Sequence, residues 1–352
     1  MGARKPQETG AHVKRILIIA TGGTIASTSD GDGGGLTPTA SGRELADKVP
    51  LLDTIAELDF VQPMNIDSTN MRPRDWLKIR DVIVDAYDRY DGFVVLHGTD
   101  TMAYTAAAIS YLIQDSEKPI VLTGSQQPMA SPFTDAKLNL YQSVLYAADG
   151  ASRDVNVVFS GKVIAGTRAH KQRTMSFNAF SSMNYPSLAY IRNNRIVRAG
   201  EAAGVVTPQR TGAAPRVYDE VDERVIVLKL TPELQPSIFD LLKRDYDAII
   251  LETFGIGGIP SYGDGSYEDA ILDWVGSGRT LVVTTQVPEE GLDLGVYEVG
   301  RAYADNPGIL KGDDMTTEAL VAKTMWVLGQ TRDPHKIREL FYREVNHDRT
   351  TF

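Results

Sequence analysis

Apolar residues fall along this chain in two patterns. Unbroken runs such as Ile16-Leu17-Ile18-Ile19-Ala20 and Phe93-Val94-Val95-Leu96 end directly in Gly-bearing turns. Runs of this length without alternation predict strands buried on both faces, as in the middle of a parallel sheet. Ile120-Val121-Leu122 and Val157-Val158-Phe159 read the same way. Between them the period changes. Pro73 to Tyr90 opens on Pro and carries Trp76, Ile79, Ile83 and Ala86 at helical spacing, and Thr101 to Gln114 predicts the next helix. Strand-like and helix-like segments alternating through the first two hundred residues predict βαβ units. From Gly200 to Asp222 the chain shifts to Ala, Gly, Pro and Thr, which reads as a linker. Beyond it, Val225–Leu228, Ala248–Leu251 and Thr280–Val283 predict strands, with helices over Thr316–Gly329 and Pro334–Glu344. The expected fold is α/β: a parallel-sheet N-terminal domain over 13–200, a linker over 201–222, and a smaller C-terminal α/β domain over 223–352.

Composition narrows the chemistry. At 352 residues, 42% hydrophobic and 23% charged, the chain reads as an ordinary globular protein in two domains. A net charge of −10 argues against a nucleic-acid surface, which needs a concentrated basic field. With no cysteine, thiolate metal sites and a Cys nucleophile are excluded. Five His residues show no metal-ligand spacing, so neither a metal nor another cofactor is expected. No apolar run approaches the length of a membrane helix, and the first is too short for a secretory signal, so no membrane partner and a cytoplasmic location are expected.

The two strands that end in Gly turns carry the informative residues: Thr21-Gly22-Gly23-Thr24 follows the first, and His97-Gly98-Thr99-Asp100-Thr101 the second. Ligands of open α/β sheets bind at the carboxyl ends of the strands, so both loops are expected to open into one crevice. Two hydroxyls with a carboxylate beside one of them suggest a Thr nucleophile with an activated second hydroxyl. A helix starting directly after Asp100 would aim its N-terminal N–H groups there, a site for a carboxylate or oxyanion. Taken singly, Thr24 also reads as a helix cap, Asp100 as a first-turn acid, and Lys171 as a solvated side chain in the basic stretch Arg168–Arg173.

Ala20-Thr21-Gly22-Gly23-Thr24-Ile25-Ala26 and Leu96-His97-Gly98-Thr99-Asp100-Thr101-Met102 resemble the two signatures of the bacterial-type L-asparaginase family. Asp67-Ser68, Thr123-Gly124-Ser125-Gln126 and Arg168-Ala169-His170-Lys171 follow in family order, so the resemblance spans about Val13 to Arg343 and is nearest the cytosolic type I members. It implies hydrolysis of the side-chain amide of L-asparagine. Thr24 would be the nucleophile, and Thr99, Asp100 and Lys171 a second catalytic set. Asp67, Ser68, Thr69, Thr99 and Asp100 would hold the substrate, Ser68 at the α-carboxylate and Asp100 at the α-ammonium. A homodimer or homotetramer is also implied.

Two departures from the family pattern stand out. The lid segment Ser27–Arg43 lacks the Tyr of many members, Leu36 standing in its place; Tyr297 resembles a Tyr used by some cytosolic members and is a substitute candidate. Phe254-Gly255-Ile256-Gly257-Gly258 ends on Gly where many members place Asn. Three other readings stay open: a glutaminase-leaning amidase, an ammonia-releasing component of an amidotransferase, and a non-catalytic amino-acid-binding regulator. The second usually carries an extra N-terminal domain, and none is expected from the short stretch before Val13.

Overall fold

The computed structural model describes residues 13–23, 25, 27–29, 36–38, 42–199, 211–261, 267–293, 306 and 308–350. Thr24 and Tyr297 lie outside them.

An eight-stranded sheet runs in the order Arg195–Arg198, Ala189–Arg192, Lys162–Ala165, Val155–Phe159, Ile120–Thr123, Gly92–Leu96, Arg15–Ala20 and Glu57–Val61. Its last five members are mutually parallel. The unbroken apolar runs are explained by cover on both faces. Ile16 and Ile18 face Leu140 and Val144 of the helix Ala136–Ala148, whereas Leu17 and Ile19 face Ile79, Ile83, Ala106 and Ile109 of the helices Pro73–Ala86 and Met102–Leu112. From Arg15–Ala20 the chain first adds the strand Glu57–Val61 on one side and then returns to place Gly92–Leu96 on the other. The turns after these strands therefore meet at a reversal of strand order, where α/β sheets leave a crevice.

A second, four-stranded parallel sheet holds Val225–Lys229, Ala248–Thr253, Thr280–Thr285 and Ile309–Lys311 in that order. The helix Met102–Leu112 is buried on nearly every side because it lies between the two sheets. Ala107, Ala108, Tyr111 and Leu112 pack with Ile250, Val282 and Trp326 of the second unit, and the Tyr111 and Trp326 rings stack 5.8 Å apart. Asp348, fully buried, accepts from Tyr111 Oη and from Lys323 Nζ, tying the C-terminal segment to helices of both units. Among the described residues no helix is long and apolar enough to cross a membrane.

The structure departs from the sequence reading in three places. The strand–helix alternation stops after Ala148, and from Val155 to Arg198 the chain forms strands only. Tight turns cause this: Ser160-Gly161 and Asn193-Asn194 all take positive φ, and Asn193-Asn194 makes a two-residue hairpin of the edge strands. The helix expected to reach Gln114 ends at Leu112, since Ile113 and Gln114 pair with Arg216 and Val217. With Thr211 and Gly212 donating to Glu117, this fastens the described part of the expected linker along the first unit.

Candidate active site

Gly22 and Gly23 take φ of +109° and +82°, the left-handed region that glycine enters without a Cβ penalty. This bend lets Gly23 N–H donate to Ile66 O, and Ile66 N–H to Thr21 O, pinning the first turn to the segment before Ser68. Thr21 donates from both N and Oγ1 to Leu96 O at the end of the neighbouring strand. Gly23 then lies backbone to backbone on Gly98: a Cβ on Gly23 would sit 2.4 Å from the Gly98 Cα. The two turns thus meet at the level of the main chain.

Lys171 arrives from far along the sequence, on the short strand Ala169–Lys171. Its Nζ donates to Thr99 Oγ1 at 2.8 Å and to Asp100 Oδ1. Thr99 is buried, and its hydroxyl passes the chain on to Gln126 Oε1 at 3.3 Å. The Lys171 side chain is 17% exposed and that of Asp100 56%, so the ammonium is sheltered while the carboxylate faces solvent. Gln126 had no role in the sequence reading beyond its place in the Thr123–Gln126 motif. Its turn is held by buried Asp135, which accepts from the N–H groups of Gln126 and Gln127 and from Asn139 Nδ2.

Ser68 is buried and faces the same glycine contact: a Cβ on Gly98 would lie 2.5 Å from Ser68 Oγ. Thr101 Oγ1 donates to Ser68 O at 2.8 Å, linking the two loops once more. Asp67 and Thr69 are exposed and bonded to each other, Asp67 Oδ1 accepting from both N and Oγ1 of Thr69. They shape the turn that presents Ser68. Phe254 and Gly258 close a tight turn through mutual backbone bonds, so Gly258 presents main chain alone. No group of three or more His, Asp or Glu is placed to hold a metal among the described residues.

His97 is fully buried behind the site. Its Nδ1 lies 2.7 Å from Gly98 O, and since a carbonyl only accepts, Nδ1 carries the proton. Nε2 then accepts from Thr105 Oγ1 at 2.9 Å, and Thr105 in turn accepts from Trp76 Nε1. Burial holds the His97 pKa down to about 4 against an ordinary 6.5. A depressed folded pKa gives stability that is whole above the unfolded value and lost as pH falls toward the folded one. Between pH 6.5 and 4 the chain is expected to lose roughly 3 kcal/mol from this group. Urea unfolding at pH 7 and pH 4.5 checks it: His97→Asn, which keeps the donor to Gly98 O, should lose less stability over that interval than the wild type. An equal loss would remove His97 as the cause.

Comparisons with known proteins agree over the whole of this framework. The family described as Asparaginase, N-terminal matches residues 15–203, and Glutaminase/Asparaginase C-terminal domain matches 224–341. An L-asparaginase of Thermococcus kodakarensis is 37% identical over 340 residues, which cover 94% of this chain and 98% of that protein. A component of the glutamyl-tRNA(Gln) amidotransferase of Pyrococcus abyssi is 34% identical over 92% of this chain and 74% of its own length. The solved structure of the thermostable L-asparaginase from Thermococcus kodakarensis superposes with a TM-score of 0.86 at 35% identity, covering 96% of this chain and 100% of that one. The chain belongs to the asparaginase family and is an amidohydrolase.

Proposed function

We propose that this protein hydrolyses the side-chain amide of L-asparagine to L-aspartate and ammonia. The observation that carries the reading is the contact of Lys171 Nζ with Thr99 and Asp100 beside the Gly23–Gly98 junction. Thr24, one residue beyond that junction, attacks the amide carbon and gives up its hydroxyl proton; the C–N bond breaks and that proton is delivered to the nitrogen, which leaves as ammonia. A water molecule then attacks the acyl-Thr24 ester while Lys171 acts as a neutral amine: the water proton passes to Thr99 Oγ1, which hands its own to Lys171 Nζ, and the same relay returns a proton to Thr24 as the ester bond breaks and aspartate leaves. Asp100 orients the Lys171 amine, as the third member of a catalytic triad does. Backbone N–H groups of the two glycine turns stabilise the oxyanion in both steps. Ser68 takes the substrate α-carboxylate and Asp100 the α-ammonium, while Asp67 and Thr69 set the turn between them. Tyr297 is the candidate for the relay that the lid segment lacks. The resemblance supports a cytoplasmic homodimer or homotetramer.

The identity with glutamyl-tRNA(Gln) amidotransferase components keeps a second reading in view, in which ammonia is released for a partner acting on charged tRNA. Incubation with free L-asparagine and no RNA separates the two. Ammonia and aspartate in equal amounts are expected, with kcat/KM for asparagine exceeding that for glutamine by about 10–100-fold, the discrimination one methylene supports. Preference for glutamine would make the protein a glutaminase. No ammonia from either free amino acid would favour the partnered or non-catalytic readings.

A further inference from the structure

Lys171 stands on a weak scaffold. Among the described residues the strand Ala169–Lys171 pairs only with Phe180–Ser182, in a two-stranded ribbon separate from both large sheets. A ribbon of this size is marginal by itself, so its position must be set by what its side chains grip. Successive residues of a strand point to opposite faces. On one face Ala169 and Phe180, each about 1% exposed, enter the core of the first unit, and Lys171 reaches Thr99 and Asp100.

The other face reaches the second unit. His170 Nδ1 meets Glu318 Oε1 at 2.8 Å. Arg168, two residues earlier and fully buried, pairs with Asp314 and donates to its carbonyl and to His347 O. Thr316 Oγ1 donates to Thr167 O at 3.2 Å while capping the helix Thr317–Gln330. The residues from Thr167 to His170 are therefore stitched to the single turn from Asp314 to Glu318.

Within this seam the Glu318 contact is the informative one. Its side chain is 8% exposed, and Oε2 is buried with no hydrogen-bond partner among the described residues. A nearly buried carboxylate is costly unless paired, and its bonded side-chain partner is His170, next in sequence to Lys171. His170, 39% exposed, is held above its ordinary pKa first by its hydrogen bond to Glu318.

Resting on the proposed amide hydrolysis, we infer that His170 and Glu318 are positioning residues, through which the start of the helix Thr317–Gln330 in the second unit fixes the Lys171 amine against Thr99 and Asp100. Neither touches the reacting atoms. Their effect is on where Lys171 stands, and small displacements of a catalytic group reduce turnover steeply.

The test uses His170→Ala, Glu318→Ala, the double variant and His170→Asn, whose amide nitrogen occupies the place of Nδ1 and can donate to Glu318. Each Ala variant should lower kcat for asparagine about tenfold with KM within twofold, the double variant should be no worse than the poorer single one, and His170→Asn should recover most of the loss. A contact that only glued the two units together would lower Tm and leave kcat at 25 °C in place. Unchanged kcat, multiplying losses in the double variant, or no recovery by Asn would overturn the inference. A second measurement needs no turnover: reductive methylation of the folded protein, followed by mass spectrometry of the peptide carrying Lys171. Labelling there should run several-fold faster in His170→Ala than in the wild type, and an equal rate overturns the inference. A wild type that releases no ammonia overturns the proposed hydrolysis instead, with the labelling result still deciding the role of His170.

Discussion

Thr24→Ala and Lys171→Met should each lower kcat for asparagine by about 10³–10⁴, and the double variant should fall no further than the worse of the two. Groups that act as one unit lose their whole effect when any member goes, so the losses do not multiply. Methionine keeps most of the unbranched stem of Lys171 and removes the ammonium that donates to Thr99 Oγ1 and Asp100 Oδ1. Asp100 is more than half exposed, so the stranded carboxylate stays solvated and the lost ion pair costs under about 1 kcal/mol. A large kinetic loss with an almost unchanged Tm is the expected signature, read by ammonia release and thermal unfolding on the same preparations. Losses that multiply would mean that Thr24 and Lys171 contribute independently and do not act as one unit. Retained activity in Lys171→Met would remove the second set from the mechanism.

What the sequence could and could not announce follows from the range of the interactions involved. The central strands were readable because cover on both faces imposes unbroken apolar runs, and the first two turns because their glycines are forced by a local bend. Strands at or next to a sheet edge were harder. Ala189–Arg192 buries only alternate residues, and Ile309–Lys311 is too short to show any period. In the site, Lys171 meets partners 71 and 72 residues away and His170 meets one 148 away, distances at which no local spacing rule operates. By its neighbours alone Lys171 is one base among several; only family resemblance drew it toward Thr99. Gln126 was visible as part of a motif, but its bond to Thr99 depends on how two strand ends are placed side by side. The pairing of His170 with Glu318 had no sequence signal at all.

Gly23→Ala tests whether that placement is the foundation of the site. An alanine at φ +82° incurs about 1–2 kcal/mol of backbone strain. Its Cβ would also lie 2.4 Å from both N and Cα of Gly98, main-chain atoms that cannot rotate aside as a long side chain can. The two turns must separate. Such a movement shifts Gly23, the residue before the proposed nucleophile, relative to the turn that carries Thr99, so activity should fall by at least 10²-fold even in molecules that remain folded. Gly98→Ala should act on the same junction from the opposite side, its Cβ meeting Ser68 Oγ at 2.5 Å and Ser68 Cβ at 2.7 Å. Ser68 is buried and its carbonyl is bonded to Thr101, so relief would come at the expense of the turn that presents it. Gly150→Ala is the control, because a Cβ there meets nothing within 4 Å and no positive φ is involved. Kinetics with asparagine and urea unfolding on the three variants separate the effects: Gly150→Ala should match the wild type in both, whereas Gly23→Ala and Gly98→Ala should lose activity out of proportion to stability. If Gly23→Ala keeps wild-type turnover, activity does not depend on the close approach of the two turns, and the proposed mechanism loses its geometric basis.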